Sequence, residues 1–475
     1  MNTNCGLERP LRWSDVYQEA DLYKAAVRLY TKPLFQWRKA LSTSTDGRTL
    51  YDLAGGGLRS LDAIHRLLND QRFEFRPAVA LNYNFNGKHR TLYISPWEER
   101  IVDLVLYRAL NQRLHDWFSP NSYAYRDRTY SLDRCQARIA RTLRQADGPI
   151  YAIKRDISDY FPSVDHAILL RQLAALIDES DYLFKLVEQR VRFPFTGPSG
   201  AAIATTGIPF GSAVACVFAN IYLTGLDRSL EGISGLAYFR YADDFLILSQ
   251  HRPTALLARD VLGSGLSELK LKTKPSHRAD LLLSAGDNVE SDFSSSQAFR
   301  HLGLLFRTGG AVELSRDKQR KIQNLFRFAF RRGKRRWARI TNSEDRARAL
   351  ATLAAETAER GVRNVAILDY YLKHVDNEAQ LRRLDRWLAE EILSLVFGGH
   401  RKGHFRRIGF DRLRQYGLPS LVHRRRLIRS GRIESPFFIW QRQKASRAFS
   451  GTVARLERGQ SPAPAFSPHP EAAAG

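Results

Sequence analysis

The chain is poor in sulfur: among its 475 residues are only three cysteines, Cys5, Cys135 and Cys216, and one methionine. The cysteines lie far apart without Cys-x-x-Cys spacing, which excludes a cysteine-built zinc site and a disulfide framework and makes a reducing compartment, the cytoplasm, the default expectation. No apolar run approaches the roughly 18 residues of a membrane-spanning helix. Residues Met1 to Arg9 lack a basic stretch followed by an apolar one, so no signal peptide is expected. Acidic residues are also scarce, with 49 Asp and Glu against 74 Lys and Arg for a net charge of +25. Such an excess points to a polyanionic partner, nucleic acid ahead of a membrane surface. Hydrophobic residues at 44% and charged residues at 26% indicate a folded body rather than a disordered one.

The pattern along the chain alternates helix and strand signals. Helical periodicity from Ala20 to Leu68 is broken at Ser42–Gly47. Val79 to Ile94 reads as a β-hairpin around Asn86-Gly87, a dipeptide that tolerates the positive φ of a tight turn. Ser95 with Glu98 forms the pattern of a capping box, with Pro96 at the first helical position. A strand is expected over Ile150–Arg155, ending on Asp156, with Ser163 capping the helix that follows. A helix is expected from about Asp181 to Phe193, a loop over Pro194–Ser212, a helix from about Ala213 to Leu226, two strands around Tyr241-Ala242-Asp243-Asp244, and a helix over Thr254–Leu269. After Arg307 the sequence becomes arginine-rich and helical to about Arg458. Gly459–Gly475 has the composition of a disordered tail.

Two segments carry chemistry. In Phe239-Arg240-Tyr241-Ala242-Asp243-Asp244-Phe245-Leu246-Ile247-Leu248, two apolar strands flank adjacent carboxylates, which repel each other and call for a cation. A solvated Asp-Asp turn is the plainer alternative for these residues. In Ala152-Ile153-Lys154-Arg155-Asp156-Ile157-Ser158-Asp159-Tyr160-Phe161, Asp156 ends an apolar strand; a turn or cap residue is its plainer reading. Together Asp156, Asp243 and Asp244 suit a pair of Mg²⁺ ions about 3.5–4 Å apart, as used in phosphoryl transfer.

An ordered series of segments resembles the reverse transcriptases, in particular the bacterial branch that holds the group II intron, retron and diversity-generating enzymes. The series runs Gly87-Lys88-His89-Arg90-Thr91-Leu92-Tyr93-Ile94-Ser95-Pro96, Ser122-Tyr123-Ala124-Tyr125-Arg126, Asp156 to Phe161, Gly207-Ile208-Pro209-Phe210-Gly211 with Phe218 to Leu223, Tyr241-Ala242-Asp243-Asp244, and His301 to Phe306. The resemblance implies an α+β right-hand polymerase fold of fingers, palm and thumb, with an extra C-terminal helical region. Its divisions would be an N-terminal region and fingers over 1–148, a palm over 149–306 with a fingers insertion near 180–206, a helical thumb and basic RNA-binding region over 307–458, and the tail from 459. It implies that Asp156, Asp243 and Asp244 are catalytic and hold two Mg²⁺ ions, or Mn²⁺. Arg90 would meet the incoming triphosphate and Phe161 would exclude a ribose 2′-hydroxyl. Gly211 would let the backbone approach the template base. For Arg90 a solvated hairpin arginine, for Phe161 core packing and for Gly211 a turn glycine are the alternatives.

The chain departs from that family where Phe210 stands in place of the usual glutamine, Ala215-Cys216 replace Ser-Pro, and Lys272-Thr273-Lys274 is a blurred match to the Lys-Thr motif. The implied partners are an RNA template, DNA product and dNTPs, with no membrane. The basic C-terminus and the Phe210-Gly211 variant look most like the defence-associated reverse transcriptases, which act with a dedicated structured non-coding RNA. A diversity-generating or group II intron-like enzyme is the alternative, and a non-catalytic RNA-binding protein is an alternative of another class. Arg331, Arg332, Arg335 and Arg336, interleaved with Phe326, Phe328, Phe330 and Trp337, read as the cationic side of a thumb helix along a nucleic-acid backbone. His404-Phe405-Arg406-Arg407 and His423-Arg424-Arg425-Arg426 are further basic clusters.

Overall fold

The computed structural model describes residues 7–31, 42–85, 88–126, 130–276, 279–284, 292–360 and 365–433. They fall into two compact units, one holding the described parts of 1–131 and 152–279, the other those of 132–151 and 280–443. The fold is α+β, as expected, and its C-terminal part is a run of helices.

In the first unit, strands β1 (Ala78–Phe85) and β2 (Lys88–Ile94) pair antiparallel from Val79↔Ile94 to Phe85↔Lys88, which is the expected hairpin. Its expected turn at Asn86-Gly87 lies outside the described residues. Strand β3 (Ile150–Asp156) ends on Asp156. Two further strands, β4 (Pro194–Gly197) and β5 (Gly200–Ile203), form a second hairpin, and β4 lies parallel to β1, giving the order β2-β1-β4-β5. Strands β6 (Ala237–Tyr241) and β7 (Asp244–Ser249) pair antiparallel, and β7 neighbours β3. Most of β6 and β7 is buried, which explains their unbroken apolar sequence. Helix Ala215–Glu231 is buried along most of its length and packs against helices Trp97–Arg113, His166–Ala174 and Arg252–Glu268.

In the second unit, β8 (Asp280–Leu283) and β9 (Ser294–Ser296) pair parallel. Strands β10 (Ala298–His301), β11 (Leu304–Arg307) and β12 (Val312–Leu314) form an antiparallel sheet. Helix Arg316–Arg332 follows and buries Ile322, Phe326 and Phe330, spaced four apart, as one apolar stripe. It packs on helices Ser343–Arg360 and Glu378–Phe397.

Four local expectations are corrected. The helix after Ser95 begins at Trp97 with Pro96 as its cap residue and no side-chain cap. Glu98 is drawn away instead by Arg48, whose Nη2 donates at 2.6 and 2.7 Å, and by Arg76 at 3.0 Å. Ser163 does not cap the next helix: Asp165 does, accepting from the Ile168 amide at 3.1 Å, while the Ser163 hydroxyl donates to the Asp159 carbonyl. Part of the expected loop 194–212 is the β4–β5 hairpin, because pairing with β1 satisfies backbone groups that a Gly/Pro-rich composition does not reveal. The chain does not turn helical at Arg307: a short 3₁₀ turn and β12 intervene before Arg316. The expected tail from 459 lies outside the described residues.

Candidate active site

Asp156 ends β3, and Ala242-Asp243 form the two-residue link between β6 and β7, with Tyr241 opposite Asp244. The Ile157 amide donates to the Asp243 carbonyl at 3.2 Å, tying the end of β3 to that link. All three carboxylates therefore gather at one end of the β6-β7-β3 strands, and each is half-buried. The link is tight enough that Ala242 adopts φ +57°, a left-handed conformation that costs a non-glycine residue roughly 1 kcal/mol.

A buried network holds this strained turn. Arg240 and Asp227 are both 0% exposed. The Arg240 Nε and Nη2 donate to the Asp227 carboxylate at 2.7 and 2.5 Å, and Nη1 donates to Asn220 Oδ1 and to the Ala242 carbonyl, each at 3.2 Å. The Tyr238 hydroxyl completes Asp227 at 2.5 Å. The backbone of Arg240 exchanges hydrogen bonds with Asn121 and Tyr123 at 2.9 Å, so the Ser122–Arg126 segment lies alongside the turn.

The carboxylates carry more negative charge than their surroundings offset. Burial, then the charges of Asp156 and Asp243, pushes Asp244 up to about 6, while Lys154 and Lys274 act in the opposite direction. Asp243 is raised as well, by burial and then by Asp156. The Lys274 ammonium donates to Asp156 Oδ1 and stands 4.0 Å from Asp243 Oδ2. Among the described residues no three acidic, His or Cys side chains converge into a ready-made metal cage. What stands there is a set of hard oxygen donors with one ammonium among them.

Beside the carboxylates lies an aromatic floor. Phe161 meets Phe210 edge to face with ring centres 5.7 Å apart, and Tyr125 at 6.2 Å. Both phenylalanines are half-buried, so Phe161 is not a sealed core residue. The exposed Arg90 sets its guanidinium 5.4 Å from the centre of the Phe210 ring. Burial raises the Tyr125 hydroxyl pKa, and the charge of Asp243 adds to the shift. The four side chains Arg90, Phe210, Phe161 and Tyr125 thus make one continuous lining.

The 207–212 segment that carries Phe210 is fixed from behind. The Tyr93 amide donates to the Phe210 carbonyl at 3.0 Å. Gly211 has φ +116°, and a Cβ there would meet Leu92 Cδ1 at 2.8 Å and the Tyr93 carbonyl at 3.0 Å. Only glycine satisfies both conditions. Ser212 donates to buried Asp103 at 2.7 Å, and Asp103 also accepts from Arg190 at 2.8 Å.

The structure thus gathers Arg90, Asp156, Phe161, Phe210, Gly211, Asp243 and Asp244 in the first unit. Arg331, Arg332, Arg335 and Arg336 are exposed in the second. Sequence reasoning passed over Lys274, Tyr125, Ser212, and the Arg240–Asp227 pair. The signals were thin: Lys274 sits in the blurred Lys272-Thr273-Lys274, and Arg240 directly precedes the catalytic-looking turn.

Residues 85–304 match the family model of reverse transcriptase (RNA-dependent DNA polymerase). That stretch is a little under half of the chain, and every residue of the first-unit site lies in it. The chain is similar to the putative COX1/OXI3 intron 1 protein of Saccharomyces cerevisiae, 23% identical over 48% of this chain and 26% of that protein. It is also similar to an uncharacterized 91 kDa protein in the cob intron of Schizosaccharomyces pombe, 22% identical over 58% of this chain and 41% of that one. The chain thus spans less than half the length of either relative. Among solved structures, a telomerase from Candida albicans aligns at 11% identity with a TM-score of 0.43, over 82% of this chain and 66% of that one. No helix among the described residues is long and apolar enough to cross a membrane.

Proposed function

We propose that the chain is an RNA-directed DNA polymerase, joining a primer 3′-hydroxyl to the α-phosphorus of a dNTP on an RNA template while pyrophosphate leaves. One observation carries the reading: three carboxylates from β3 and the β6–β7 link gather inside a reverse transcriptase-family domain, with Asp243 and Asp244 raised by burial and by neighbouring carboxylate charge. The donor set fits Mg²⁺ or Mn²⁺, which take carboxylate oxygens and keep positions for phosphate and water. Asp156, Asp243 and Asp244 would hold two such ions, which would supply charge stabilisation at the reacting phosphorus and a more acidic attacking hydroxyl.

The remaining lining has work that needs no metal. Arg90 offers an exposed cation for the triphosphate. Phe161 and Phe210 close the floor against the sugar, where an added 2′-hydroxyl would collide with a ring. Gly211 keeps the backbone low beneath the template base. Lys274 neutralises part of the carboxylate cluster while no nucleotide is bound. In this reading 1–148 is the N-terminal region and fingers, 149–306 the palm and 307–458 the thumb and basic region. The thumb face then meets phosphates through Arg331, Arg332, Arg335 and Arg336. Arg331 and Arg332 end helix Arg316–Arg332, whereas Arg335 and Arg336 stand on a separate short helix, Lys334–Trp337, beyond Gly333; Phe328, exposed at 55% on the first of these, supports a contact with unstacked bases or sugars.

The biological role we assign is antiphage defence in the cytoplasm, templated by a dedicated non-coding RNA. The apolar Phe210 and the long basic C-terminus support it; Phe210 equally suits a diversity-generating enzyme. Sequencing the nucleic acid that copurifies with the protein separates the two, since a single dominant structured RNA is expected for defence. The polymerase itself is tested by primer extension with dNTPs on an RNA template. Asp156→Ala and Asp243→Ala should each abolish incorporation with the melting temperature kept. Retained incorporation in either variant overturns the assignment.

A further inference from the structure

The two basic clusters late in the chain look alike in sequence but differ in what their charges meet. In helix Leu421–Arg429 the arginines are consumed by the fold. Arg424 donates to Asp369 at 2.6 and 3.0 Å, Arg425 and Arg426 to Glu378 at 3.0 to 3.2 Å, and Arg429 to Asp376 at 2.7 Å. Their role is to staple that helix to its neighbours.

The segment Gly398–Gly409 is the opposite case. It reads Gly-Gly-His-Arg-Lys-Gly-His-Phe-Arg-Arg-Ile-Gly and contains no acidic residue. Arg401, Lys402, Arg406 and Arg407 are all exposed, and among the described residues no carboxylate lies in ion-pair reach of any of them. The segment is nonetheless firmly shaped. His404 is buried, stacks on Phe397 with ring centres 5.2 Å apart, and meets the Gly399 carbonyl through Nε2 at 3.1 Å. Ile408 is buried beside it, and the Arg407 guanidinium lies 5.1 Å from the centre of the Phe397 ring. Added Cβ atoms at Gly398, Gly399 and Gly403 would meet nothing within 4 Å, so the backbone there is open to a ligand.

The negative end of helix Glu378–Phe397 favours a cation nearby, but that effect fades beyond the last turn and leaves four exposed cations within seven residues unexplained. A preshaped, glycine-opened loop with clustered cations and no acid of its own, Glu391 standing 3.8 Å from His400 at its start, suits the phosphodiester backbone of a structured nucleic acid. A membrane surface fits less well, because the loop offers no exposed large apolar side chain to insert.

We infer that the 398–409 loop is a phosphate-docking surface of the second unit, gripping the backbone of a folded RNA, the class of template in the proposed function, and that helix Leu421–Arg429 is not. The inference extends the polymerase reading to the second unit, and its test needs no synthesis. The full chain is titrated with a labelled RNA hairpin and with a DNA duplex of equal length over a range of salt. Arg401→Gln, Lys402→Gln, Arg406→Gln and Arg407→Gln are combined, with the Arg401→Gln/Lys402→Gln pair as a milder variant. Arg407 also rests on the Phe397 ring, so the melting temperature is measured for each variant and should hold for the Arg401→Gln/Lys402→Gln pair, neither of which is ion-paired to any described residue. The slope of log affinity against log salt should flatten by roughly 0.7 to 0.9 for each phosphate no longer neutralised, about 3 for all four. Flattening with the RNA hairpin supports the surface, whereas flattening with the DNA duplex alone overturns the RNA assignment. A parental slope in the folded quadruple variant overturns it, as does loss of binding to anionic phosphatidylserine vesicles with nucleic-acid binding unchanged. Primer extension on a pre-annealed oligonucleotide reports separately on the polymerase, so its failure and that of the loop are distinguishable.

Discussion

Arg240 grips Asp227 through two parallel hydrogen bonds in a core where neither side chain touches solvent, and the same guanidinium reaches the carbonyl of Ala242 in the carboxylate-bearing turn. Structural integrity and site geometry therefore depend on one ion pair. Removing one partner leaves the other charged and buried, which typically costs about 3–5 kcal/mol, whereas replacing both with apolar groups is often near neutral. Asp227→Ala should lower stability by about that amount in chemical denaturation. Asp227→Leu with Arg240→Met should recover most of the stability but not the nucleotide incorporation, because Ala242 loses its support. A stable Asp227→Ala with parental activity contradicts this account.

A second prediction follows from the charge on Asp244. Its folded pKa is raised to about 6 from an ordinary 3.8, so the folded chain binds the proton more tightly than the unfolded one. Its ionisation therefore penalises folding above pH 6, and the penalty disappears as pH falls toward 4. In the presence of a chelator, Asp244→Asn should melt higher than the parent at about pH 7.5, and the gap should close by about pH 4.5. Thermal melts of the two proteins across that range check it; a gap that widens on acidification would reverse the sign.

Sugar choice should respond to Phe161. The ring is half-buried against Phe210 and Tyr125, so Phe161→Val opens space at the floor while removing less packing than Phe161→Ala, for which a fully buried ring would cost about 3–5 kcal/mol. The ratio of rNTP to dNTP incorporation should rise in both variants. If the ratio stays parental in soluble, active protein, Phe161 only packs.

The Ser212 hydroxyl is the link between the Phe210 segment and the buried Asp103–Arg190 pair. Ser212→Ala removes one hydrogen bond and leaves Asp103 its arginine, at about 1 kcal/mol. The expected signature is a raised KM for dNTP with a smaller change in kcat, and recovery in Ser212→Thr. Equal losses in kcat and kcat/KM without recovery would mean the bond serves only the fold.

Much of this was legible in the sequence because it is local. The β1–β2 and β6–β7 hairpins announce themselves through strand patterning, and Asp156 through its place at the end of an apolar run. What escaped depends on residues distant in sequence. Asp156 and Lys274 meet across 118 positions, and Ser212 and Asp103 across 109. The β4–β5 hairpin is stabilised by β1, more than a hundred residues earlier, and its own Gly/Pro-rich composition argues for a loop. Ser95 and Ser163 fit capping patterns, but nearby arginines took Glu98 and Asp165 supplied the better cap. The alike basic clusters at 404–407 and 423–426 are told apart only by the carboxylates that the fold brings to the second and not to the first.

The position of Gly211 also bears on how such a protein can change over generations. With φ +116°, and with Leu92 Cδ1 and the Tyr93 carbonyl in the way of a Cβ, any side chain there strains the backbone and presses on β2. Neighbouring Phe210 is half-buried and free of that constraint. A change in the lining of this floor is thus easier at Phe210 than at Gly211, where it would require rebuilding the scaffold beneath.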